Sequence, residues 1–191
     1  MSPKTQTQNE QIRAKSKHRI MEAAFKLIAT NGYESTSIAM IAKAAEVSKG
    51  LLYNYFESKE ALVKALVVGA MEEGDELIKR LMHAEPKVAL KNIFHWFFNE
   101  IRERPDHWKL ITELTFKIEK FDFVHKIVTS KMTEYVGYIE GLLVKTGHKN
   151  ANSEARLIAA ILDGIGFHAL IMLDEYPLVE MEEYLINKYC E

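Results

Sequence analysis

The stretch TSIAMIAKAAEVSKGLLYNYFESKEAL, residues 36–62, decides the fold. Three serines stand just ahead of apolar helical patterns: Ser37 before 38–45, Ser48 before 49–56, and Ser58 before a long helix reaching about residue 83. A serine hydroxyl accepts from an orphaned N–H of the first helical turn, so each marks a helix start. In the first short helix Ile38, Ile41 and Ala42 recur at helical spacing, and Val47 follows the turn, which together make an apolar wedge between the helices. Ala42 and Ala45 let the helices approach closely. In the second, Leu52 and Phe56 lie four apart and face inward, leaving Lys49, Gly50, Leu51, Tyr53, Asn54 and Tyr55 across the other surface. Two short helices joined by a tight turn are the smallest unit that stands on a DNA backbone while placing a helix in the major groove.

Charge is distributed as such a unit requires. The formal net charge is -2, yet residues 1–65 carry ten Lys/Arg against six acids, a local +4, and the remainder carries -6. A basic end approaches phosphates and an acidic one does not. Arg13, Lys15, Lys17, His18 and Arg19 precede or begin the first helix, expected over about 16–30 and stopped by Gly32. They are either a minor-groove or phosphate-contacting arm or a solvated tail.

Beyond the quoted stretch the pattern stays helical, with prolines only at positions 3, 86, 105 and 177 and no sustained strand alternation. Further helices are expected over 87–104, about 106–118, 122–146, 153–175 and 178–189, nine in all, giving an all-α chain with an amino-terminal three-helix head and a helical-bundle body. The expected division is a mobile basic arm over 1–15, a helix-turn-helix domain over 16–62, and a ligand-binding and dimerisation domain over 63–191.

Gly32-Tyr33, Thr36-Ser37, Ile41-Ala42, Val47-Ser48-Lys49-Gly50, Leu52-Tyr53-Asn54-Tyr55-Phe56 and Ser58-Lys59-Glu60-Ala61-Leu62 together resemble the tetracycline-repressor (TetR) family of transcriptional regulators over about residues 15–65. The resemblance implies a homodimer that binds a palindromic double-stranded DNA operator and is usually released by a small molecule held in the carboxy-terminal domain. It places Thr36, Ser37 and Ser48 near phosphates and makes Tyr53 and Lys59 backbone clamps. Base reading then falls to Lys49, Gly50, Leu51, Asn54 and Tyr55: lysine donates to guanine, asparagine pairs with adenine, Leu51 meets a thymine methyl, and Gly50 lets the backbone come close. Two positions depart from the family pattern. Ala39 replaces a polar or arginine residue, which weakens reading from the second helix. Glu46 occupies a turn position often held by glycine, at a cost of about 1 kcal/mol if it is left-handed.

In the body, LIAAILDGIGFHALIML is apolar nearly all round, so one face must meet something outside its own domain. Asp163 and His168 within it argue against a membrane span. Dimer burial is the better explanation, through Ile161 and Gly164, with Gly166 also permitting close approach, and through Leu178, Met181 and Leu185 of the last helix, so that the last two helices and their symmetry mates form a four-helix interface. Aromatic residues concentrate mid-chain and suit a cavity for a small apolar or amphipathic ligand, with Phe97, Trp108, Phe116, Tyr135, Phe167 and His168 as its expected lining. Gly137 and Gly141 form a small-xxx-small pattern that marks close helix packing.

Other chemistries find little support. The histidines are scattered without metal spacing, so neither a metal nor a cofactor is expected. There is no Gly-rich phosphate loop or recognisable triad, which argues against an all-helical enzyme. A protein-binding adaptor that kept the head but lost DNA affinity is disfavoured by Lys49, Tyr53 and Lys59 in a basic head. The single cysteine, Cys190, cannot form an internal disulfide, and the polar amino terminus lacks a signal-peptide core, so a cytoplasmic protein is expected.

Overall fold

The structure is a computed structural model that describes residues 6–81, 83–116 and 122–191. Among the described residues every regular element is helical: α1 (Gln6–Asn31), α2 (Ile38–Ala44), α3 (Lys49–Tyr53), α4 (Lys59–Leu81), α5 (Pro86–Glu103), α6 (Pro105–Phe116), α7 (Asp122–Lys145), α8 (Ala151–Met172) and α9 (Leu178–Cys190), with a 3₁₀ turn over Leu173–Glu175. All three serine caps form. Ser37, Ser48 and Ser58 accept from the N–H groups of Met40, Leu51 and Ala61 at 3.2, 3.0 and 3.0 Å. Gly32 (φ +80°) and Gly147 (φ +85°) end α1 and α7 in the left-handed conformation glycine adopts without cost.

One boundary differs clearly from expectation. Helix α1 covers Gln6–Asn31, so residues 6–15 are helical, ahead of the start expected at about residue 16. No Gly or Pro interrupts residues 6–31, and Gln, Glu, Ala, Lys and Arg are good helix formers. Low apolar content, the basis for reading a tail, does not oppose a helix.

The chain divides into two compact units, Met1–Gly69 and Ala70–Glu191, with α4 running through the boundary. In the first, Ile20, Ala24 and Ile28 of α1 meet Ile41 of α2, Leu52 of α3 and Leu62 of α4 in a core closed to solvent. In the second, Leu90, Phe94 and Phe98 of α5 pack with Leu143 of α7, Ile158 of α8 and Tyr189 of α9. Two polar ties cross this body. Buried Glu182 on α9 accepts from Arg102 of α5 at 2.7 Å and pairs with His95 Nδ1 at 2.5 Å. Lys131 of α7 reaches both oxygens of Asp75 on α4, at 2.7 and 2.8 Å.

Helix α8 with its following turn is long and apolar enough to cross a membrane. Its buried stripe, Ala155, Ile158, Leu162 and Ile165, belongs to the body's core. Gly137 and Gly141, expected at a close helix packing, have no described atom of the chain within 4 Å of where a Cβ would stand, so the chain's own described helices do not require a glycine at either.

Candidate nucleic-acid interface and body cavity

Helix α3 is held from beneath by fully buried Leu52 and, just after it, by Phe56. The opposite side is open: Lys49, Gly50, Tyr53 and Asn54 are exposed, while Leu51 and Tyr55 are half-buried. A Cβ on Gly50 would meet nothing nearer than Ser48 Oγ at 4.0 Å, so the head's packing does not require glycine there. Ser37 and Ser48 are exposed, and each hydroxyl, already accepting a cap bond, keeps its own proton to donate outward. Arg13 of α1 lies 5.8 Å from the Tyr55 ring and Lys17 lies 6.0 Å from that of Phe56, which sets two cations of α1 beside the end of α3.

Two expected phosphate contacts make hydrogen bonds within the head. Thr36 is buried, and its hydroxyl faces the carbonyls of Leu27 at 3.1 Å and Gly32 at 2.9 Å, so it closes the end of α1 and is unavailable to DNA. Lys59 donates to the carbonyls of Tyr33 at 2.6 Å and Thr36 at 2.8 Å, with its ammonium 3.8 Å from the Tyr33 ring centre. It pins the start of α4 to the α1–α2 connection, and two of its three donors are taken. Tyr33 in turn donates to Glu60 at 3.2 Å, and burial with the Glu60 charge pushes its pKa up to about 12. Glu46 takes the left-handed conformation expected of it, at φ +54°.

The body contains a cavity of about 210 Å³. Gly74, Leu77 and Ile78 line it from α4, Ile93, Trp96 and Phe97 from α5, Trp108 from α6, Met132, Tyr135, Val136, Tyr138 and Ile139 from α7, and Ala159, Leu162 and Asp163 from α8. Of the expected lining, Phe97, Trp108 and Tyr135 come together here. Phe167 and His168 do not: both are exposed on α8, and His168 instead meets Phe167 and Tyr176. The α8 positions that reach the cavity, 159, 162 and 163, lie more than a turn earlier. Phe116 ends α6, and its side chain lies outside the described residues.

Two glycines shape this cavity. A Cβ on Gly166 would collide with the Trp108 indole, and one on Gly74 would stand 2.8 Å from the Tyr135 hydroxyl. Gly166, expected to serve a dimer contact, therefore seats Trp108. Tyr135 donates to the carbonyl of Met71 and to Asp75, both at 3.1 Å. Trp108 Nε1 and the Tyr138 hydroxyl are buried and find no hydrogen-bond partner among the described residues.

The expected interface residues also separate. Gly164 is exposed, and Ile161, Leu178 and Met181 are half-buried. Leu185 is 3% exposed and packs in the chain's own core, which removes it from an interface. On α9 the inward face runs through Glu182, Leu185, Ile186 and Tyr189. Apolar type alone does not reveal which stripe of that helix faces in.

A basic head whose short capped helix stands out from a buried base, joined to a helical body with an apolar cavity, defines a helix-turn-helix DNA-binding transcriptional regulator. The family model for bacterial regulatory proteins of the tetR family matches residues 20–66. The "Fatty acid metabolism regulator protein" of Bacillus subtilis is 27% identical over 153 residues, covering 76% of this chain and 77% of that protein. The fatty acid degradation regulator FadR from Bacillus halodurans shares the fold, with a TM-score of 0.77 at 20% identity over 92% of this chain and 94% of the other. FadR from Bacillus subtilis in complex with stearoyl-CoA gives a TM-score of 0.76 at 20% identity, over 91% and 97% of the two chains. The head thus carries the pattern of tetR-family bacterial regulatory proteins, and the chain as a whole shares the fold of the two FadR structures.

Proposed function

We propose that the chain is a cytoplasmic repressor that binds a palindromic operator as a homodimer through α3 and is released when a small apolar or amphipathic molecule enters the body cavity. The observation that carries the DNA-binding part is the exposed Lys49-Gly50…Tyr53-Asn54 surface on a helix anchored by buried Leu52. Asn54 and Lys49 read bases, Gly50 admits the backbone, and Ser37, Ser48 and Tyr53 donate to phosphates. Lys59 and Thr36 hold the shape that presents them.

DNA reading and ligand sensing divide between the two compact units. Dimerisation is supported by the outer face of α8, where Leu157, Gly164 and Ile171 recur seven apart, with Ile161 and His168 between them. That spacing is the seam of a helix pair. Release follows from a population shift. Ligand favours a dimer whose two α3 helices are no longer about 34–36 Å apart, the spacing of successive major grooves on one face of DNA.

A titration of the full chain against the intergenic DNA beside its own gene, and against shuffled DNA, at several salt concentrations tests this reading. A specific regulator binds its own site about 10³-fold or more tightly than the shuffled one, and its affinity falls steeply with salt. Equal affinity for both would remove the claim.

A further inference from the structure

Among the described residues, Asp163 is the one carboxylate that lines the body cavity, and no described lysine, arginine or histidine lines it. Among the described residues no hydrogen bond or ion pair satisfies that carboxylate. Asp163 stands at the mouth, where the cavity meets a groove between α7 and α8 that also carries Glu140 and Arg156. Arg156 is engaged there with Asn152 at 3.2 Å. Five rings, those of Trp96, Phe97, Trp108, Tyr135 and Tyr138, make up much of the wall. One side of Asp163 is open to solvent, and the apolar surroundings on its other side push its carboxyl above the ordinary range.

Ring faces attract cations through their quadrupole, and an unpaired carboxylate at an apolar site is stabilised by a positive partner. An anionic headgroup would meet Asp163 with no cation among the described lining residues to offset it. We propose that this cavity takes an amphipathic organic cation, an apolar chain or ring system bearing a quaternary or protonated amine, with Asp163 as its counter-ion. This rests on the cavity being the effector site.

Both tryptophans of the chain line the cavity, so their emission reports occupancy directly. Decyltrimethylammonium, 1-decanol, decanoate and decanoyl-CoA are titrated into the full-length protein and into Asp163→Asn, with operator binding followed in parallel. The expected result is that the cation binds about tenfold or more tightly than the other three. Asp163→Asn removes that preference while 1-decanol binds both proteins equally, which shows the cavity intact. Tighter binding of decanoate or decanoyl-CoA, or a cation preference that survives Asp163→Asn, overturns the inference while leaving a ligand-responsive regulator standing. Cation binding through Asp163 with no effect on operator binding upholds the site and overturns the regulatory reading. Binding of none of the four overturns both.

Discussion

Lys59 spends its ammonium on two main-chain carbonyls inside the head, and that changes what its removal should do. Lys59→Met leaves those acceptors without a donor and lowers stability by about 1–3 kcal/mol, read as a fall in the denaturation midpoint of the full chain. An unchanged midpoint with a lower salt slope of DNA binding would return Lys59 to the role of a phosphate clamp. Glu46 is the converse case. At φ +54° it holds a conformation that glycine takes freely, and its contact with Arg19, at 3.8 Å between exposed groups, offers little in return. Glu46→Gly is expected to raise stability by about 1 kcal/mol in the same assay. Gly50→Ala is expected to leave stability unchanged or improve it by up to about 1 kcal/mol, because the site is open and alanine favours helix. Operator affinity, measured by anisotropy, should nonetheless fall. At this scale the sequence told which residues matter in the head but not which atoms they use. Thr36 and Lys59 stand at motif positions, and only their hydrogen-bond partners show that both face inward.

Helix starts were legible because caps are local: Ser37, Ser48 and Ser58 each bind an N–H three residues on. What a helix packs against is not local. Gly166 sits in an apolar run that reads equally well as a dimer contact, yet it seats an indole from α6. Gly166→Ala should cost about 1–3 kcal/mol and shift the tryptophan emission as Trp108 is displaced. A native-like spectrum and midpoint would contradict that packing. The link between α4 and α7 is equally invisible in the sequence, since Asp75 and Lys131 lie far apart along the chain. Burial alone would raise the Asp75 pKa, but hydrogen bonds from Lys131 and Tyr135 outweigh it, and the pKa falls below the ordinary 3.8. A lowered carboxyl pKa stabilises the fold above that ordinary value, and the gain is lost as pH drops through the lowered one. Thermal melts between about pH 6 and about pH 3 should therefore show a steeper acid loss for the native chain than for Asp75→Asn. Parallel profiles would remove Asp75 from the account.

For the whole molecule, the all-α class and the basic head on an acidic body were readable from helical periodicity and charge, which need no knowledge of contacts. The cavity was only partly readable. Phe97, Trp108 and Tyr135 announce themselves as aromatics, whereas Leu77, Ile93 and Ala159 look like any core residue, and Asp163 looks like a break in a helix. The central claim is that α3 reads DNA sequence and does so twice, once from each half of a symmetric dimer. Selection of binding sites from random duplex DNA by the full-length chain tests it most directly, with Asn54→Ala selected in parallel. The account predicts a palindrome whose half-sites lie about 10 bp apart centre to centre, or a multiple of that, and an Asn54→Ala preference altered at one symmetric pair of positions. Recovery of no common sequence, or of the same sequence by both proteins, would contradict it.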